Sequence, residues 1–144
     1  MAKVELGYPT LSETVEILSR YESISSLDAL KPVLTREDVL NLISLTKKVY
    51  VEQNVLKYIA AIIEATREHR YVKLGASPRG AISPLLLVKS CGSYQGKSYV
   101  TPDDVKYVAY AALSHRIILK SETRIANVTP RDVISDVLEK VEPP

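Results

Sequence analysis

The chain has 144 residues, enough for one domain that buries about 70% of its unfolded surface. At 46% hydrophobic and 25% charged it has globular composition, which argues against global disorder. A net charge of +2 is small for a strong binder of DNA or anionic membrane, and the single cysteine, Cys91, excludes an intramolecular disulfide and a cysteine-based zinc site.

Lys3 to Leu6 alternates in polarity and is compatible with a lone strand. The opening MAKVELGYPT has no apolar core, so no signal peptide is expected. Thr10 to Glu13 reads as a capping box before a first helix with Leu11, Val15, Leu18 and Tyr21 on one face. Glu22 to Leu34 reads as a Ser-, Lys- and Pro-containing linker. Thr35 then opens the first of three Thr-x-x-Asp-Val starts; the others begin at Thr101 and Thr129. In each, the threonine hydroxyl suits the N-cap and the aspartate suits the positive end of a helix. Pro102 and Pro130 fall at the first helical position, where a missing N–H costs little.

The second helix carries Val39, Leu42, Ile43 and Val49. The third carries Val55, Ile59, Ile62 and Ile63 and runs to about His69. Ile82, Leu85, Leu86 and Lys89 belong to a fourth, Val105, Val108, Ala109 and Ala112 to a fifth, and Val133, Ile134, Val137 and Val141 to a sixth. The expected fold is therefore all-α, a single bundle of about six helices, with at most a short strand pair between Arg116 and Val128. The longest apolar run, Tyr107 to Leu113, has seven residues; a membrane-spanning helix needs about 20.

LGASPRG, Leu74 to Gly80, is the most informative stretch. Ser77 is a good N-cap and Pro78 a good first helical residue, which puts Arg79 in the first turn. A cation there opposes the helix dipole at a cost of about 0.3–1 kcal/mol. A bound anion reverses that sign, because free N–H groups and a guanidinium together suit a phosphate. A solvated arginine that tolerates the penalty is the plainer reading. Ser83-Pro84 is an equally good start, so the helix begins at Pro78 with Pro84 as a kink, or at Pro84 with Arg79 in a loop.

GSYQGKS, Gly92 to Ser98, imitates a phosphate-binding P-loop but has three residues between its glycines where four are needed, and it follows a helix, not a strand. It reads as a helix end and turn. Arg67, His69 and Arg70 close the third helix and His115-Arg116 the fifth, where cations complement the dipole. The two histidines have no metal-ligating partners in sequence. Cys91 reads as a small buried residue. No Ser-His-Asp grouping is arguable, so the residues alone supply one anion-site candidate and no catalyst.

LGASPRG, followed by YVTPDDV (Tyr99 to Val105) and HRIIL (His115 to Leu119), resembles the C-terminal helical lid of the MoxR branch of AAA+ ATPases. Val49 to His69 is similar to the lid helix before the arginine motif. KVELGYPT, Lys3 to Thr10, is similar to the exit from the ATPase core. The resemblance implies residues 1–9 as the end of the core and linker and 10–144 as the lid. It implies that Arg79, with Ser77 and Pro78, forms a nucleotide-binding site in which Arg79 senses the γ-phosphate of ATP. It further implies ATP and Mg as cofactors held with a core domain, and no metal site in the lid itself.

A cytoplasmic homohexamer follows from the same resemblance, with chaperone-like remodelling or metal and cofactor insertion and a von Willebrand factor A domain partner. No nucleic-acid or membrane partner is implied. No Walker A lysine, Walker B acid or arginine finger is present, so the chain by itself is not expected to hydrolyse ATP. The alternative is a free-standing helical protein-interaction module with no nucleotide role. A third reading, DNA binding through Arg67, Arg70, Arg79 and Arg116, is weakened by the low net charge.

Overall fold

Threonine begins four helices by the same chemistry. At Thr10, Thr35, Thr101 and Thr129 the hydroxyl accepts the N–H of the acidic residue three places on, and the threonine N–H donates back to that carboxylate. These capping boxes satisfy helix N–H groups that have no partner within the helix. The Thr10 backbone bond holds Glu13 below its ordinary pKa, and the threonine hydroxyls do the same for Asp38 and Asp132.

The computed structural model describes residues 2–23, 30–124 and 126–144. Six helices appear in it: α1 (Leu11–Ser23), α2 (Arg36–Lys48), α3 (Gln53–Glu68), α4 (Pro78–Tyr94), α5 (Pro102–Leu113) and α6 (Pro130–Lys140). All six match the helices expected from periodicity, and the all-α reading holds. Of the expected linker from Glu22 to Leu34, residues 24–29 lie outside the described residues, Glu22 and Ser23 close α1, and residues 30–34 form no helix or strand.

Two expectations about strands change. Lys3 to Leu6 forms no strand; it is exposed, with the Lys3 N–H donating to the Ala111 carbonyl. The short strand pair exists, but not within Arg116 to Val128. β2 (Ile118–Leu119) pairs antiparallel with β1 (Val72–Leu74), Val72 opposite Leu119 and Leu74 opposite Ile118, with an irregularity between them. A three-residue strand is too short to show a period of two.

The chain divides into two compact units, one of Val4–Leu42 and one of Met1–Lys3 with Ile43–Pro144. In the larger unit, α3 contributes a buried stripe of Val55, Tyr58, Ile59, Ile62, Ile63 and Thr66. It meets Val105, Val108, Ala109 and Ala112 of α5 and Val133, Ile134 and Val137 of α6, while α4 packs along α5. Each buried Val or Ile contributes about 1.5–3 kcal/mol relative to exposure. Val49, expected on the face of the second helix, lies just past α2 and is buried in this core. In the smaller unit the expected apolar face of α1 is exposed at Leu11, Val15, Leu18 and Tyr21. Val39, Leu42 and Ile43 of α2 are exposed as well, and α2 has no buried residue. Their periodicity is helical without being covered.

Tyr58 is 3% exposed, and its hydroxyl has no hydrogen-bond partner among the described residues. Burial, followed by the Asp103 charge, pushes its pKa up. An unsatisfied buried hydroxyl costs about 1–3 kcal/mol. Tyr58→Phe is therefore expected to raise stability by about 1 kcal/mol in urea denaturation; a loss of that size would show that the hydroxyl is satisfied in solution.

Candidate functional site

The loop between β1 and α4 is fixed by the end of α3. Ala76 is fully buried. Its N–H donates to Thr66 Oγ1 at 3.1 Å, and its carbonyl accepts Arg67 Nε–H at 2.9 Å. Thr66 is itself fully buried, and its hydroxyl donates to the Ile63 carbonyl at 2.6 Å. Gly75 packs so closely on α3 that an added Cβ would stand 2.6 Å from Arg67 Cα.

The two candidate starts of the fourth helix are resolved in favour of Pro78. Ser77 is the N-cap, its side chain accepting the Gly80 N–H at 3.2 Å, and Pro78 is the first helical residue. Ser83 cannot cap because it is buried inside the helix with Pro84. Pro84 has no N–H to give the Gly80 carbonyl four residues back. Arg79 thus stands in the first turn, exposed, with no hydrogen bond or ion pair among the described residues. No acidic residue occupies that turn, so neither the positive end of the dipole nor the Arg79 guanidinium has a negative partner within it.

Beside this start lies an open groove of about 720 Å³, lined by Arg67, Lys73, Ser77, His115 and Arg116 among others. Among the described residues no carboxylate lines it. Such a one-sign lining raises the local concentration of anions. Burial pushes the His115 pKa down, and the Arg116 and Lys3 charges add to this. Arg116 donates Nε–H to the Ala112 carbonyl at 3.1 Å, closing the end of α5. Its Cδ lies 3.7 Å from where a Gly80 Cβ would stand, so the end of α5 abuts the first turn of α4.

Ser77, Pro78 and Arg79 are consecutive at the start of α4; Ser77 lines the groove with Arg67 and Arg116, while Pro78 and Arg79 are not among its lining residues. Arg70 does not line it either; it stacks on the Tyr71 ring at 4.5 Å. Gly75 lies in the LGASPRG stretch as a break before the helix, but its close packing on Arg67 was not foreseen, and Thr66 and Lys73 were not singled out. The signal for Thr66 is a polar residue on the apolar stripe of α3.

The P-loop imitation is a helix end. Gly92 is inside α4, Gly96 has φ of 71°, and Lys97 pairs with Asp104 at 2.6 Å. Cys91 is half-buried against the core. His69 lies 3.4 Å from Asp136, an acidic neighbour not evident in sequence. Among the described residues no cluster of three His, Cys, Asp or Glu could hold a metal, and no helix is long and apolar enough to cross a membrane.

Residues 64–137 match the family model of the AAA lid domain, a span that contains the whole site. An uncharacterized protein, YeaC, of Bacillus subtilis is 30% identical over 142 residues, covering 99% of this chain and 44% of that protein. Chaperone MoxR1 of Mycobacterium tuberculosis is 29% identical over 151 residues, covering 99% of this chain and 40% of the chaperone. A crystal structure of a "putative ATPase" from Cytophaga hutchinsonii superposes with a TM-score of 0.83 at 30% identity, over 99% of this chain and 46% of that one. The chain spans less than half the length of each. By family, sequence and fold, this chain belongs to the AAA lid domain family and is a lid domain of the MoxR-like AAA+ type.

Proposed function

We propose that this lid closes over an ATP site on an AAA+ core domain and that Arg79 contacts the γ-phosphate. The observation that carries this is the exposed Arg79 in the first turn of α4, two residues after Ser77, which lines a groove with Arg67, Lys73 and Arg116 and, among the described residues, no carboxylate. A γ-phosphate placed there satisfies the guanidinium and the helix dipole together. A contact made with triphosphate and lost on hydrolysis would release the lid and turn hydrolysis into motion.

The groove suits the phosphates but, among the described residues, has no carboxylate for Mg, so in this proposal the metal is held with the triphosphate by the core. The motion serves chaperone-like remodelling, or metal or cofactor insertion, in a cytoplasmic homohexamer with a von Willebrand factor A domain partner. The chaperone-like role is supported by similarity to a protein named chaperone MoxR1; the other assignments follow from the family resemblance alone.

The test is ATP turnover by the full-length gene product, wild type against Arg79→Ala, with circular dichroism on both. Turnover is expected to fall at least about tenfold, a loss of about 1.4 kcal/mol of transition-state stabilisation, with the helical signal unchanged. Unchanged turnover would return Arg79 to the solvated surface. A second reading, a protein-interaction module with no nucleotide role, is favoured by the exposed apolar residues of α1 and α2, and the absence of turnover in either protein would support it.

A further inference from the structure

We infer that Thr66 and Arg67 are positioning residues for Arg79: together they lock the start of α4 to the end of α3. This rests on the reading of Arg79 as a phosphate sensor. Ala76 lies three residues before Arg79, and both of its backbone groups are bonded to side chains of α3. The Thr66 hydroxyl gives its one proton to the Ile63 carbonyl and accepts from the Ala76 N–H, so a single orientation serves both bonds. Arg67 offers Nε–H, the donor nearest its stem, to the Ala76 carbonyl.

The remaining links to Arg79 are equally restrained. Gly75 sits flush against the Arg67 backbone. Ser77 is held by its cap to Gly80, and Pro78 has a ring-fixed φ. From Gly75 to Pro78 every residue has a contact or a ring that limits its backbone rotation. The direction in which Arg79 leaves α4 is therefore set by α3, and the two helix ends move as one body.

A catalytic contact displaced by about 1 Å can cost as much as 100-fold in rate. A lock of this kind acts on the productive placement of the guanidinium, and so on kcat more than on KM. Its loss should have no effect once the guanidinium is gone. That non-additivity separates positioning from general structural support.

The experiment measures kcat and KM for ATP in the full-length gene product. Thr66→Val, Thr66→Ser and Arg67→Lys are each made in the wild-type and Arg79→Ala backgrounds. Thr66→Val removes the hydroxyl at nearly constant shape, Thr66→Ser keeps it, and Arg67→Lys keeps the charge while losing Nε–H. Thr66→Val and Arg67→Lys are expected to lower kcat about three- to tenfold with KM within about twofold of wild type. Thr66→Ser should stay within about twofold on both parameters, and none should lower kcat further in the Arg79→Ala background.

Wild-type kcat in both lock variants, or the same fold-loss in both backgrounds, overturns the inference. If Thr66→Val does not fold, the Arg67→Lys pair decides, since Arg67 is on the surface. Should Arg79→Ala itself turn over normally, the sensor reading falls and the positioning role with it. An impaired Arg79→Ala beside normal lock variants removes the positioning role alone.

Discussion

Gly75→Ala is expected to lower stability by about 3–5 kcal/mol and to impair any function that depends on Arg79. An alanine Cβ would lie 2.6 Å from Arg67 Cα and Cγ and 2.8 Å from Arg67 N, whereas carbon atoms pack at about 3.5–4.0 Å. Two of these three atoms are backbone atoms of the α3 helix, which cannot swing aside as a side-chain tip would. The loop must retreat, and its retreat opens both bonds to Ala76. Overpacking costs about 1–3 kcal/mol, and two bonds at about 1 kcal/mol each add to it. For a domain of this size the melting temperature should drop by about 10 °C. A drop under about 2 °C in a thermal melt would show that the loop is not seated on α3 as described.

The second large effect is at Asp104, whose carboxylate accepts three hydrogen bonds. One oxygen accepts from the Thr101 N–H and hydroxyl at 2.9 and 2.8 Å, and the other from Lys97 Nζ at 2.6 Å. The side chain is only 9% exposed. Burial pushes its pKa up, but the bonds from Lys97 and Thr101 outweigh this and hold it below the ordinary carboxylate value. Asp104→Ala loses a helix cap worth about 1 kcal/mol and a charge-assisted bond worth about 1.5–3 kcal/mol, so a loss near 3 kcal/mol is expected.

The pH dependence follows in sign. A carboxyl whose folded pKa is depressed binds its proton more readily when the chain is unfolded. Its stabilisation is therefore full above the unfolded value, about pH 4, and declines as pH falls through the lower folded value. Thermal melts between pH 5 and 2 should lose stability in that window, with a shallower slope in Asp104→Asn. An identical slope in the variant would assign the acid sensitivity to other carboxylates.

The helix starts were legible because their chemistry is local. Thr101, Pro102 and Asp104 carry a whole cap within four residues, and Thr129, Pro130 and Asp132 repeat it. The choice between Pro78 and Pro84 was not local; it depended on whether Ser77 or Ser83 would be covered by the core. The same limit applies at the site. Arg79 stood out because a cation in a first turn violates a local rule. Thr66 did not, and Gly75 stood out only as a break before the helix, because their partners lie ten and eight residues away across a turn. The exposure of Leu11, Val15 and Leu18 was equally invisible, since amphipathic spacing describes a face without saying what covers it.

Tyr58 also governs how the chain interacts with light. With no Trp and no Phe, all near-ultraviolet absorbance from aromatic side chains comes from nine phenols. Six of these, at positions 8, 21, 50, 94, 99 and 107, already face solvent in the folded state, and unfolding barely alters their surroundings. Tyr71 and Tyr110 are partly covered. Only Tyr58 passes from a dry interior to water. The tyrosine spectrum of this chain is thus chiefly a reporter on the middle of α3, a little over two helical turns from the residues that anchor Ala76.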